Sequence, residues 1–177
     1  MNYHLTNHTN TLDAQASLTV AVREAMQTLK PPPKLTVAEW ADLERRLSSE
    51  ASAEAGRWHT ARAEYQRGIM DAISDPLMRD VVVMAGAQVG KTEMLLNCIG
   101  FHVAHDPAPI LLVQPTLEMA QAFSKDRLAP MLRDTPTLRG KVKDPRSRDA
   151  NNTTTHKVFQ GGHISLVGSN SPSGLAS

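Results

Sequence analysis

Apolar side chains recur every three or four residues over Leu18, Ala21, Val22, Ala25, Met26 and Leu29, a spacing that gathers them on one helix face. Pro31-Pro32-Pro33 ends that helix and forms a stiff connector. Thr36 and Glu39 then make a capping-box pair ahead of Val37, Trp40, Leu43 and Leu47, which predicts a second helix running to about Ser48. Ser48 to Gly56, rich in Ser, Ala and Glu, reads as loop, and a core begins near Trp58. Tyr65 to Ile73 reads as helix and is broken by Asp75-Pro76. The period changes at Asp80-Val81-Val82-Val83-Met84, whose β-branched apolar run predicts a buried parallel strand. Glu93 to Phe101 predicts a helix with Leu95, Cys98, Ile99 and His102 inward, and Pro107 and Pro109 close it before a second strand, Ile110-Leu111-Leu112-Val113-Gln114. Strand, helix and strand together predict a right-handed parallel βαβ unit. Thr116 caps a third core helix with Met119, Ala120 and Phe123 inward, stopping near Pro130, and Thr154 to Phe159 with His163 to Val167 predict a hairpin across Gly161-Gly162. The fold class is therefore α/β, with a helical arm and linker over residues 1–56 and a core over 57–177.

Composition changes this picture little. A chain of 177 residues with 41% apolar and 4% aromatic residues can build one core that leans on Leu, Val, Ile, Met and Ala. A formal charge of +1 gives no global footprint for nucleic acid. The single cysteine, Cys98, excludes a disulfide framework and reads as a small buried hydrophobe. The N-terminus carries no signal segment and no run approaches membrane-spanning length, so a soluble, cytoplasmic protein without membrane contact is expected.

Candidate chemistry concentrates between the first predicted strand and its helix. Ala85-Gly86-Ala87-Gln88-Val89-Gly90-Lys91-Thr92 fits the phosphate-binding loop pattern with Ala in place of the first Gly. A polyphosphate needs many converging donors, and backbone N–H groups at a helix N-terminus supply them together with the positive end of the helix dipole. Gly86 and Gly90 are expected to let the chain curl, Lys91 to reach the β- and γ-phosphates, and the Thr92 hydroxyl to ligate Mg²⁺. Some twenty residues upstream, Tyr65-Gln66 offers an aromatic face and an amide that could pair with an adenine edge, although an ordinary capping glutamine reads equally well.

Other constellations are weaker. His102 and His105 stand three apart but lack further ligands for zinc. Ser165, Ser169, Ser171 and Ser173 lie in no nucleophile elbow. Residues 125–148 hold an excess of basic side chains, Lys125, Arg127, Arg133, Arg139, Lys141, Lys143, Arg146 and Arg148, over Asp126, Asp134 and Asp144. They could touch a phosphate backbone, but without interleaved aromatics a solvated surface segment is the simpler reading.

Five ordered segments carry a family likeness: Gly56-Arg57-Trp58; Tyr65-Gln66-Arg67-Gly68-Ile69-Met70-Asp71-Ala72; Ala87-Gln88-Val89-Gly90-Lys91-Thr92-Glu93; Val113-Gln114-Pro115-Thr116; and Gly168 to Ser177 with its Gly174-Leu175-Ala176. Over about residues 36–177 the chain resembles the large terminase subunit of lambda-type tailed phages and prophages. The resemblance implies a P-loop NTPase-type parallel sheet flanked by helices, here truncated, in a motor that hydrolyses ATP to drive DNA into the capsid. It implies a C-terminal metal-dependent endonuclease that cuts concatemeric DNA. ATP and Mg²⁺ are the implied cofactors. Double-stranded phage DNA, the small terminase subunit and the portal of the procapsid are the implied partners, in the host bacterial cytoplasm. Carried over by position, Lys91 and Thr92 bind phosphate and magnesium, Tyr65 and Gln66 contact adenine, and Ala85 to Gly90 form the loop. The helix from Leu18 to Leu29 is a candidate contact for the small subunit or an intramolecular packing helix. The family's Walker B strand, ending in acidic residues, is expected after the Gly-Leu-Ala segment; here the predicted strands end in Gln114-Pro115 and Gly168-Ser169. Nucleotide binding with negligible turnover is thus expected, with no catalytic residue in this chain. The alternatives are a helicase-like DNA motor fragment or a non-catalytic prophage remnant.

Overall fold

The Thr36 hydroxyl accepts the Glu39 N–H while the Glu39 carboxylate accepts the Thr36 N–H at 2.8 Å, so the capping box forms as its sequence predicts. The computed structural model describes residues 17–23, 25–26, 34–50, 52, 54–142 and 152–170. The chain divides into two units, Met1–Lys34 and Leu35–Ser177. In the first, residues 17–23 and 25–26 are helical; Leu29 and Pro31 to Pro33 lie outside the described residues.

The second unit begins with α1 (Val37–Glu44), which buries Val37, Ala38, Trp40 and Ala41. It is shorter than its periodicity predicts, because Arg45 turns extended and Arg46–Leu47 (β1) pairs antiparallel with Gly56–Arg57 (β2). A 3-10 segment, Thr60–Gln66, leads into α2 (Arg67–Ser74). The Ser74 hydroxyl donates to Met70 O and accepts the Val37 N–H, which joins α2 to the head of α1.

Lys91–Ala104 forms α3, which buries Met94, Leu96, Asn97, Ile99, Gly100, Phe101 and Val103. These positions run around most of the helix, so α3 is wrapped by its neighbours instead of resting one stripe on a sheet. Trp40 lies so close to Gly100 that a β-carbon there would meet its ring, with Cζ3 only 2.8 Å away. Leu95, expected inward, is exposed on the side that also carries Lys91 and Thr92. Cys98 is half-buried against the core, and desolvation pushes its thiol up to about 12, as befits a packing residue.

Two expectations about the sheet are corrected. Residues 80–84 form no strand: Val82 is 91% and Met84 100% exposed, and only Val83 packs on the core. A run apolar on both faces is stable as a strand only with a strand to pair with and layers on both faces, and among the described residues the segment has neither. Nor is the sheet purely parallel. It has the order Ile110–Gln114 (β3), Gly162–Gly168 (β5), His156–Phe159 (β4), with β3 and β5 parallel and β4 and β5 antiparallel. The hairpin expected around Gly161 is present, with Phe159 paired to Gly162, and it supplies the parallel partner that 80–84 was expected to be.

The Thr116 hydroxyl accepts the Met119 N–H and caps α4 (Leu117–Phe123) as expected. The helix does not stop near Pro130: it widens to a π turn over Ser124–Leu128 and resumes as α5 (Ala129–Asp134). Pro130 has no N–H to give to the preceding turn, and the wider turn, in which the Ala129 N–H reaches Ser124 O, accommodates it. Leu112, Phe159, Ile164 and Leu166 bury one sheet face in the core, whereas Leu111, Val113 and Val158 on the other are exposed. Among the described residues no helix is long and apolar enough to cross a membrane.

Candidate phosphate-binding loop

Residues 87–90 turn tightly before α3. The curl sits at Gln88 (φ 58°) and Gly90 (φ 73°, ψ 17°), both left-handed, and not at Gly86, whose φ is ordinary and around which a β-carbon would meet nothing. The glycine expected to permit the turn is therefore dispensable for it, and a glutamine holds a conformation that costs a non-glycine residue about 1 kcal/mol or more. Gly90 is obligatory on two counts. Its φ is left-handed, and a β-carbon would lie 2.6 Å from Gln66 Nε2.

Lys91, the first residue of α3, folds its side chain back over the loop and donates from Nζ to Gly86 O. Residues 86 and 91 are thus drawn together with a turn between them. α1 and α4 each begin with a threonine that caps a first-turn N–H, but α3 begins on Gly90 with no side-chain cap. Its first-turn donors are not claimed by a capping side chain, and Lys91 and Thr92 beside them are exposed.

Tyr65 and Gln66 also arrive at the loop. The Tyr65 hydroxyl donates to Val89 O at 2.8 Å and Gln66 Nε2 donates to the same oxygen at 3.0 Å. Gln66 is buried, and its Oε1 has no hydrogen-bond partner. A buried amide oxygen left unmatched costs roughly 1–3 kcal/mol, so this acceptor is unusual in a folded core. The Tyr65-Gln66 pair and the 85–92 loop, separate signals in the sequence, form one neighbourhood.

Sequence reasoning missed the support beneath this loop. Arg45, 2% exposed, donates from Nη2 to Glu93 Oε2 at 2.9 Å, so the first turn of α3 is tied to the end of α1. Arg45 carries no motif; a charged residue in the last turn of an amphipathic helix reads as surface, and only the fold turns it inward. The Gly56-Arg57-Trp58 segment is anchored on α1 as well, with the Arg57 guanidinium donating to Asp42 O at 2.8 and 3.0 Å and the Trp58 N–H to Arg45 O at 3.1 Å.

The other candidates fall elsewhere. His102 Nδ1 lies 3.0 Å from Asp106 O, His105 Nε2 accepts the Leu35 N–H at 3.3 Å, and the described residues contain no group of three metal-binding side chains. In the basic segment, Arg133 pairs with Asp134 and Glu50, Arg139 donates to Arg133 O, and Lys141 reaches Ala104 O. Hydrogen bonding from Arg133 holds the Asp134 carboxyl down to about 2. Lys143, Arg146 and Arg148, like Ser171, Ser173 and Gly174-Leu175-Ala176, lie outside the described residues. At the strand ends the Ser169 N–H donates to Gln114 O at 2.7 Å and its hydroxyl to Pro115 O at 3.0 Å, so β3 and β5 finish together without a carboxylate.

Residues 52–177 match the family model of the phage terminase large subunit gpA, ATPase domain. The chain belongs to that family. It is 33% identical over 141 residues to the large terminase subunit of Escherichia phage lambda, covering 80% of this chain and 22% of that protein. To the large terminase subunit of Enterobacteria phage P21 it is 34% identical over 152 residues, 85% of this chain and 23% of that protein. The chain therefore spans less than a quarter of the length of these curated relatives. No solved structure matches it. Neither alternative raised from the residues, the helicase-like fragment or the remnant, is better supported than terminase membership.

Proposed function

We propose that residues 85–92 are the triphosphate-binding loop of a DNA-packaging ATPase of the P-loop type. The observation that carries this reading is the fold-back of Lys91 onto Gly86 O at the head of α3, a helix without a side-chain cap. The ammonium already lies over the loop and can exchange a carbonyl oxygen for a phosphate oxygen without crossing open solvent. Thr92 follows at the position from which a hydroxyl would ligate Mg²⁺; the bound ion would neutralise charge on the β- and γ-phosphates. Tyr65 and Gln66 would meet the base, with the unmatched Gln66 Oε1 as the acceptor available to an adenine amino group.

Binding is the role assigned to these residues. Hydrolysis needs carboxylates to hold the metal and orient water, and among the described residues β3 and β5 end in Gln114 and Gly168, so no hydrolytic role is assigned to the residues at these strand ends. ATP-driven translocation of double-stranded DNA, endonucleolytic cutting, and contacts with the small subunit and the portal in the host cytoplasm are proposed for the whole protein. The proposed domains are an arm and linker over 1–56 and ATPase-domain sequence over 57–177.

Titration of a fluorescent ATP analogue with Mg²⁺ into the 177-residue chain and its Lys91→Ala variant tests the loop. Removing a charge-assisted contact should weaken affinity by about tenfold or more. Equal affinity would remove Lys91 from the site.

A further inference from the structure

The pair between buried Arg45 and partly exposed Glu93 is poorly explained by stability. Besides Glu93, the Arg45 guanidinium donates from Nη1 to Arg46 O, while its Nε is buried without a partner. Burial lowers its pKa, and the neighbouring Glu93 and Asp134 carboxylates oppose that shift. A buried ion pair with an incompletely satisfied cation is generally no more stabilising than an apolar pair of the same volume. What distinguishes this one is its place: Glu93 stands in the first turn of α3, directly after Lys91 and Thr92.

A carboxylate in a first helical turn suits the helix dipole, but here the same turn carries the donors and the lysine to which a polyphosphate is assigned. Left unpaired, Glu93 would set a negative charge against each charge of an arriving anion, and the penalty would grow with the number of phosphates. Arg45 approaches from the buried side, whereas Lys91 and Thr92 face solvent. It can therefore cancel the Glu93 charge without occupying the anion's place. Through its backbone bonds to Ala41 O and from the Trp58 N–H, Arg45 also fixes that turn to α1 and to the ribbon of β1 and β2.

We infer that Arg45 is a positioning residue of the triphosphate site, which neutralises Glu93 from beneath and so sets the affinity of loop 85–92 for highly charged nucleotides. The inference rests on the reading of 85–92 as a triphosphate loop. A brace of purely structural importance would affect all nucleotides alike; charge cancellation affects ATP more than ADP, and its loss is relieved by removing the Glu93 charge.

The test uses fluorescent analogues of ATP and ADP with Mg²⁺, titrated into the wild-type chain, Arg45→Met, Glu93→Gln, Arg45→Met/Glu93→Gln and Lys91→Ala, with folding followed by circular dichroism. Arg45→Met should lose about tenfold in ATP affinity and less in ADP affinity, and the double variant should return to within about threefold of wild type. If Arg45→Met fails to fold, Glu93→Gln carries the test: with the Arg45 charge left uncancelled beneath the loop, tighter binding of ATP with a smaller gain for ADP supports the inference, and unchanged or weaker binding of both overturns it. Binding that needs Lys91 but is unchanged in Arg45→Met, or equal losses of ATP and ADP with no recovery in the double variant, overturns this inference alone. A wild type that binds neither nucleotide, or binds them as well without Lys91, overturns the loop reading and this inference with it.

Discussion

Gly90 is where backbone conformation, packing and the candidate chemistry meet. Its left-handed φ aims the chain into α3, and its missing side chain lets Gln66 Nε2 approach and bond Val89 O. Gly90→Ala should cost about 1–2 kcal/mol from φ alone, plus the displacement of Gln66, and lower the melting temperature by several degrees. Thermal unfolding by circular dichroism checks this; an unchanged midpoint would mean the turn is not held as described. Gly86→Ala should be nearly neutral, since nothing stands where its β-carbon would go. Of the two glycines expected to let the chain curl, Gly90 does so and Gly86 does not, because residue type reports which positions tolerate a positive φ and not which position adopts one. Gln88 illustrates this: nothing in its identity announces φ 58°. Arg45 was illegible for a different reason, since its burial depends on β1 and β2 folding over the end of α1.

At the level of elements, local signals with a complete mechanism were readable. The Thr36 and Thr116 caps, the second strand at Ile110–Gln114 and the hairpin through Gly161 all follow from short-range chemistry. The segment 80–84 was misread because an apolar β-branched run specifies a preference for burial, not the neighbour that provides it. The consequence is measurable. In amide hydrogen exchange, β5, hydrogen-bonded on both edges, should be the slowest part of the sheet, whereas the amides of Val81 to Met84 should exchange within the fastest class. Protection of 81–84 comparable to β5 would show that the run is paired after all. The extension of the third helix past Pro130 was missed for a related reason: a proline ends a helix unless the preceding turn widens, and the π turn at Ser124–Leu128 is a tertiary solution.

Across the second unit, from Leu35 onward, burial is concentrated around α3. Trp40 of α1, Met70 of α2 and Leu138 belong to the same buried cluster as Leu96, Ile99 and Phe101 of α3. The helix that carries Lys91 is therefore held firmly along its length while its first turn is left open, an arrangement that suits a fixed cradle for an exchangeable ligand. The sheet contributes Leu112, Ile164 and Leu166 to that cluster on one face and exposes Leu111 and Val113 on the other. Membership of the terminase family gives this architecture its context, within which main-chain donors between residues 85 and 93 are proposed to receive a triphosphate. Amide proton–nitrogen NMR spectra of the 177-residue chain, recorded as Mg²⁺ and ATP are added, test that claim most directly. Progressive shifts are expected for the amides of Gly86 to Glu93, absent when Lys91 is replaced by Ala; shifts confined to other regions, or none at saturating nucleotide, would contradict binding at this loop.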